Sequence, residues 1–84
     1  MYEGEWLRGK KSGQGRLECP DGHSYHGAYL NGKKHGYGVY KWPDGRCYQG
    51  YWESGLRHGI GKLTENGVTR TADMKFGSVV RWLN

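Results

Sequence analysis

The residues with most chemistry to offer are four histidines, two cysteines, a recurring set of cations and a large complement of Tyr and Trp. His35 and His58 each lie just ahead of a Gly-x-Gly element, in equivalent places that Ser12 fills earlier in the chain. Two imidazoles share a zinc ion only if both nitrogens come within about 2.0 Å of it. Equivalent residues on successive hairpins of a sheet stand about 10 Å apart, so this pair holds no common ion. A loop histidine donating to a backbone carbonyl is the reading left for each. His23 and His26 flank Tyr25 with no carboxylate or cysteine at ligand spacing. Cys19 and Cys47 fall at different phases of the repeat, one aligned with Trp42 and the other with Ser24, so they make no recurring ligand pair. They read as reduced thiols. The Gly-x-Gly elements lack the strand–loop–helix setting and the lysine of a phosphate loop, and they recur where a single active site would not. Asp21 and Asp44 sit in Pro-Asp-Gly turns, where a carboxylate bonds the backbone just after it. No catalytic residue, metal site or cofactor is expected, and the reading moves to binding.

Two sets of residues carry that reading. Lys10, Lys11, Lys33, Lys34 and Arg57 recur at the same phases, in what the spacing predicts to be hairpin loops, so they should line one long margin of a sheet. Solvated loops are the plain explanation. The functional one is attraction of anionic phospholipid, especially phosphoinositides, where each cation near a membrane is worth about 1 kcal/mol. The net charge of +5 favours an anionic partner of some kind. Nucleic acid is disfavoured, because the aromatics alternate with glycine and lack the signature of an RNA-recognition sheet. The second set is Tyr2, Trp6, Tyr25, Tyr29, Tyr48 and Trp52, joined by Tyr40 and Trp42 from the following strands. Part of it must serve as core, and the rim is free for a protein partner with apolar anchors.

The elements that position these residues come from a repeat of 23 residues. Tyr2-x-Gly4-x-Trp6-x-x-Gly9-x-x-x-Gly13-x-Gly15 returns from Tyr25 to Gly38 with Tyr29 at the Trp position, and again from Tyr48 to Gly61. Apolar and glycine positions alternate with polar ones, which is a strand pattern. Each unit is therefore predicted to be a β-hairpin. The first has strands near 1–7 and 13–19, joined by a loop through Gly9, Lys10, Lys11 and Ser12. Pro20-Asp21-Gly22, Pro43-Asp44-Gly45 and a shortened Asn66-Gly67 lead from one unit to the next. Glycine along the aromatic face lets rings lie down over the backbone and bury area without a second layer. Arg70-x-Ala72-x-Met74-x-x-Gly77 falls into the same register as a decayed fourth unit, closing in a hairpin with Gly77-Ser78 as its turn. A short helix over about 72–83 competes with that hairpin, opposed by Gly77 in its middle. The fold class is all-β: a single-layer antiparallel meander of about six to eight strands.

The register of these six Tyr, aromatic and Gly positions, with the glycine of the closing turn as a seventh, closely resembles the MORN (membrane occupation and recognition nexus) repeat, over residues 2–67 and more weakly over 70–77. The resemblance implies a curved sheet of hairpins with an aromatic-lined groove, serving as an accessory module. The jobs it implies are protein docking, self-association and acidic-phospholipid binding. On this reading residues 1–84 form one domain, with repeats 2–24, 25–47 and 48–69 and a degenerate unit 70–84, taken from a longer array. No apolar run approaches the roughly 18 residues of a membrane span, and no signal-like segment follows Met1. A cytoplasmic protein at a membrane periphery or the cytoskeleton is expected, with a protein partner or a second copy as its ligand.

Overall fold

The computed structural model describes residues 1–83. Eight strands follow one another: β1 (Tyr2–Leu7), β2 (Lys10–Glu18), β3 (Ser24–Leu30), β4 (Lys33–Lys41), β5 (Cys47–Glu53), β6 (Leu56–Glu65), β7 (Val68–Lys75) and β8 (Ser78–Trp82). They pair antiparallel in chain order in one open sheet. Its extents of 40 × 24 × 14 Å are those of a slab one layer thick. The all-β meander is thus the fold, and the last unit is a hairpin. Its turn falls on Phe76-Gly77, one residue earlier than the sequence implied.

The hairpins are tighter than expected. Arg8-Gly9, Asn31-Gly32, Ser54-Gly55 and Phe76-Gly77 close them as two-residue turns, each with positive φ at both positions. Such turns match the right-handed twist of the strands they join. Lys10, Lys11, Lys33, Lys34 and Arg57 are therefore strand residues rather than loop residues, as are His35 and His58. The missing loop length is taken up inside the hairpin. The ladder shifts register between Gly4 and Trp6, Gly27 and Tyr29, and Gly50 and Trp52, so that residues 12–14, 35–37 and 58–60 bulge opposite the single residues Glu5, Ala28 and Tyr51. At the centre of each bulge is Gly13, Gly36 or Gly59, at φ of 66°, 95° and 82°, a conformation open to glycine at little cost.

A bulge leaves a backbone carbonyl without a ladder partner, and an unpaired polar group is costly. The first tyrosine of each unit supplies the partner. Tyr2, Tyr25 and Tyr48 donate their hydroxyls to the carbonyls of Glu5, Ala28 and Tyr51, at 2.9, 2.9 and 3.0 Å. To reach that far each ring lies flat over a pair of facing glycines. A Cβ added to Gly50 would stand 2.6 Å from the Gly61 Cα and 2.6 Å from the Tyr48 hydroxyl. Gly4, Gly15, Gly27, Gly38, Gly50 and Gly61 face one another in turn, forming a row that crosses the sheet and ends at Ala72.

Successive hairpins are clasped as well as paired. The turn glycines Gly32, Gly55 and Gly77 donate to the carbonyls of Lys11, Lys34 and Arg57 in the hairpin before, at 2.9, 2.9 and 2.8 Å. On the other margin, Asp21 and Asp44 accept from the backbone N–H of His23 and Arg46, so both act as turn formers. Tyr25, Tyr29, Tyr48, Trp52, Ala72 and Met74 form the buried core, flanked by Tyr2, Leu17, Tyr40, Trp42 and Leu63. All of it lies on one face of the sheet.

Candidate functional site

That aromatic face is a herringbone. Tyr2 meets Trp6 and Tyr29 edge-on at 5.0 and 5.4 Å between ring centres, Tyr25 meets Tyr29 and Trp52 at 5.2 and 5.5 Å, and Tyr48 meets Trp52 at 5.3 Å. Edge-to-face pairs of this kind add about 0.5–1.5 kcal/mol each beyond the area they bury. The structure divides the eight aromatic residues picked out in the sequence. Tyr25 and Tyr48 are wholly buried and Tyr29 and Trp52 nearly so, which makes these four the core of the sheet. Tyr2, Tyr40 and Trp42 are half-buried, and Trp6 remains 58% exposed. The accessible part of the face is its rim.

Burial sets the ionisation of these rings. The Tyr29 hydroxyl is pushed up to about 12 by loss of water, with smaller contributions from Tyr2 and Cys19. Tyr25 and Tyr48 are raised for the same first reason. The Tyr29 hydroxyl is also buried without a hydrogen-bond partner. One unit later the same position is Trp52, whose indole N–H points at the Gly38 carbonyl at 3.4 Å.

The five cations separate into two groups because alternate strand residues point to opposite faces. Lys10 and Lys33 are exposed. Lys11, Lys34 and Arg57 turn onto the aromatic face instead of lining a solvated margin. Lys34 Nζ lies 5.4 Å from the centre of Tyr25 and 5.5 Å from those of Tyr40 and Trp52. Burial, the largest influence, lowers its pKa. Lys11 sits 5.3 Å over Tyr2 and 5.8 Å from Trp6, and Arg57 lies 5.8 Å from Tyr48. Cation–π attraction of roughly 0.5–2 kcal/mol holds each in place.

Metal chemistry has no footing in the geometry. Among the described residues, no group of three or more His, Cys, Asp or Glu could hold an ion. His58 faces Glu53 at 3.8 Å and Phe76 at 5.0 Å between rings, and its Nδ1 is buried without the carbonyl partner expected of it. Cys19 and Cys47 are free thiols.

The sequence reading missed a cleft of about 610 Å³ where the aromatic face runs onto the last two hairpins. Its walls include Trp42, Arg57, Leu63, Arg70, Val79 and Trp82. Arg70 and Trp82 stand at decayed repeat positions. Arg70 takes the place of the unit's first tyrosine, and Trp82 pairs with Ala72 where the earlier units pair glycines. The signal was the identity of what replaced the motif, which a search for the motif discards.

An open, single-layer sheet of repeated hairpins, pinned by tyrosines over glycine pairs, is the architecture of a repeat module. The MORN repeat model matches residues 2–24, 25–45 and 48–68, and the chain belongs to the MORN repeat family. No curated protein matches the sequence. The family is a non-enzymatic repeat module that mediates protein or membrane interactions. Among the described residues, no helix is long and apolar enough to cross a membrane.

Proposed function

We propose that this chain is a non-catalytic docking module whose aromatic face receives a segment of a partner protein. The observation that carries the reading is an accessible aromatic rim beside a buried aromatic core. The rings that build the core continue into a half-exposed rim of Tyr2, Trp6, Tyr40 and Trp42, and no second layer closes over them. Exposed Trp and Tyr beside a packed aromatic base have the composition of binding hot spots. Selection of a random-peptide library on the folded protein tests it. Recovered peptides should shift the backbone amide resonances of β2–β7 at residues facing the rim, and replacing Trp6 and Trp42 together by Ala should abolish their binding. Recovery of no peptide, or of peptides that perturb only the opposite face, would defeat the reading. Self-association through the same face is its other form, visible as a sedimentation coefficient that rises with concentration.

A second reading, membrane recruitment, draws on the turn margin. There Leu7, Leu30 and Leu56 are exposed, and Leu7 and Leu30 pair with the exposed cations Lys10 and Lys33. Apolar side chains beside free cations suit the surface of an anionic bilayer. Lys11, Lys34 and Arg57, held over rings, contribute less than the sequence alone implied. Co-sedimentation with phosphoinositide vesicles at physiological salt, abolished by Lys10→Gln with Lys33→Gln, is the expected result. Equal pelleting of native and variant protein would remove this reading. Either role suits a cytoplasmic protein at a membrane periphery or the cytoskeleton.

A further inference from the structure

The cleft over β6–β8 is unlike the rest of the aromatic face, because its cations are arginines and two of the three lack carboxylate partners. Arg57 and Arg70 form no ion pair among the described residues. Each is nevertheless held in place. The Arg70 guanidinium stacks 3.8 Å from the centre of the Trp82 ring. Arg57 spends one N–H on the Gly77 carbonyl at 2.8 Å while lying against Tyr48. A third arginine, Arg46, lies 5.2 Å over Trp42 at the far wall, paired with Asp44 at 2.8 Å. Glu65 is the one acidic residue in the lining. The site is therefore net positive, preorganised and walled by apolar Leu63, Val68 and Val79.

We propose that this cleft recognises an extended acidic segment of a partner protein, a carboxylate meeting Arg57 and Arg70 while a neighbouring apolar side chain packs on Leu63, Val68 and Val79. The inference rests on the docking reading and names its ligand chemistry. Guanidinium groups present their N–H donors as a planar fork that fits a carboxylate bidentately, and stacking on a ring fixes the fork before the ligand arrives. Alternate side chains of an extended peptide point the same way, so an acid and an apolar residue at i and i+2 reach a basic wall and an apolar wall together. A phospholipid headgroup would satisfy the arginines and leave the apolar walls wet. The charge balance of the lining and the two kinds of wall together favour the peptide.

The test runs one random-peptide selection in parallel on the native chain and on the Arg57→Gln, Arg70→Gln double variant. Peptides recovered on the native protein should be enriched in Asp or Glu beside Leu, Ile or Phe. Their affinity should fall at least about tenfold on the variant and should weaken as salt is raised from physiological levels. Arg70→Gln alone provides the control for folding, since Arg70 is exposed and stacks on the half-exposed Trp82, and it should reproduce part of the loss. Acid-poor peptides, or acidic ones that bind the double variant equally well, would overturn the inference while leaving the docking reading intact. Recovery of no peptide would end both. Vesicles containing phosphoinositides that displace the acidic peptides, and that lose binding through the same two arginines, would assign the cleft to lipid and overturn the peptide proposal.

Discussion

The third and fourth units share a register and diverge in what they do with it. In the third, Tyr48 lies over Gly50 and Gly61, donates to the carbonyl of Tyr51 opposite the bulge and disappears from the surface. In the fourth, Arg70 stands at the tyrosine's place, Ala72 at the first glycine's and Trp82 at the second's. Ala72 leaves no bed for a flat ring, and Arg70 stacks instead on Trp82 at the surface. Met74 still fills the position of Trp52 and is buried. The core-facing half of the motif has survived and the half that would pin the bulge has not. An array can thus give up its clamp at the last unit without losing its sheet, and the space released there is the arginine-walled cleft.

The comparison is broken most forcefully at the tyrosine. Tyr48→Ala empties a fully buried site in a small domain and should cost about 3–5 kcal/mol, enough to unfold much of the protein. Arg70→Ala at the equivalent position should cost only about 0.5–1 kcal/mol. Chemical denaturation of the two variants side by side measures the difference. Gly50→Ala comes next, since its methyl would meet the Gly61 backbone and the Tyr48 ring, and about 1–3 kcal/mol is expected. Ala72→Gly in the fourth unit should cost about 1–2 kcal/mol, through backbone entropy and the loss of one buried methyl.

Alkaline pH should act on the first three units and spare the fourth, which has no tyrosine. Burial raises the pKa of Tyr25, Tyr29 and Tyr48 above the ordinary 10.0. The unfolded chain ionises near 10, whereas the folded one holds its protons. Stability is therefore full below pH 10 and falls as pH rises from there through about 12, the value for Tyr29. Lys34, whose pKa is lowered, gives a single contribution of the opposite sign, rising as pH approaches 10.5. Thermal unfolding followed with tyrosinate absorbance should show the melting temperature dropping in that window. A flat profile would contradict the burial of these rings. The smallest effect belongs to Tyr29→Phe, which removes an unpartnered buried hydroxyl and should leave stability unchanged or raise it by up to about 1 kcal/mol. The same change at Tyr25 removes its bond to Ala28 and should cost about 1 kcal/mol.

Much of the fold was legible because it is periodic. The positions of Tyr, Gly and Trp, the alternation between them and the Pro-Asp-Gly links gave the strands, the faces and the number of hairpins. The bulges were not legible. Glu5, Ala28 and Tyr51, the residues that face them, share no chemistry, since a bulge is set by the register between two strands. Missing them lengthened the turns on paper and put Lys11, Lys34 and Arg57 in solvent. Burial was also hidden, because Tyr25 and Tyr2 hold the same place in the repeat, yet only Tyr25 has a hairpin on both sides. The arginine cleft combines residues of β6, β7 and β8 with the link at Trp42–Arg46, and its Arg70, Val79 and Trp82 stand where the repeat has decayed.

The row of glycines crossing the sheet has a mechanical meaning. A line of residues without side chains, perpendicular to the strands, is a crease, and on either side of it the sheet is stiffened by rings and long side chains. The tyrosines that span the crease, each fastened to a bulge beyond it, act as stays that set its angle. Beyond Tyr48 the crease continues to Ala72 with no stay across it. Opening and closing of the angle should therefore be easiest at the end that holds the cleft, so that a ligand there would meet a jaw rather than a wall.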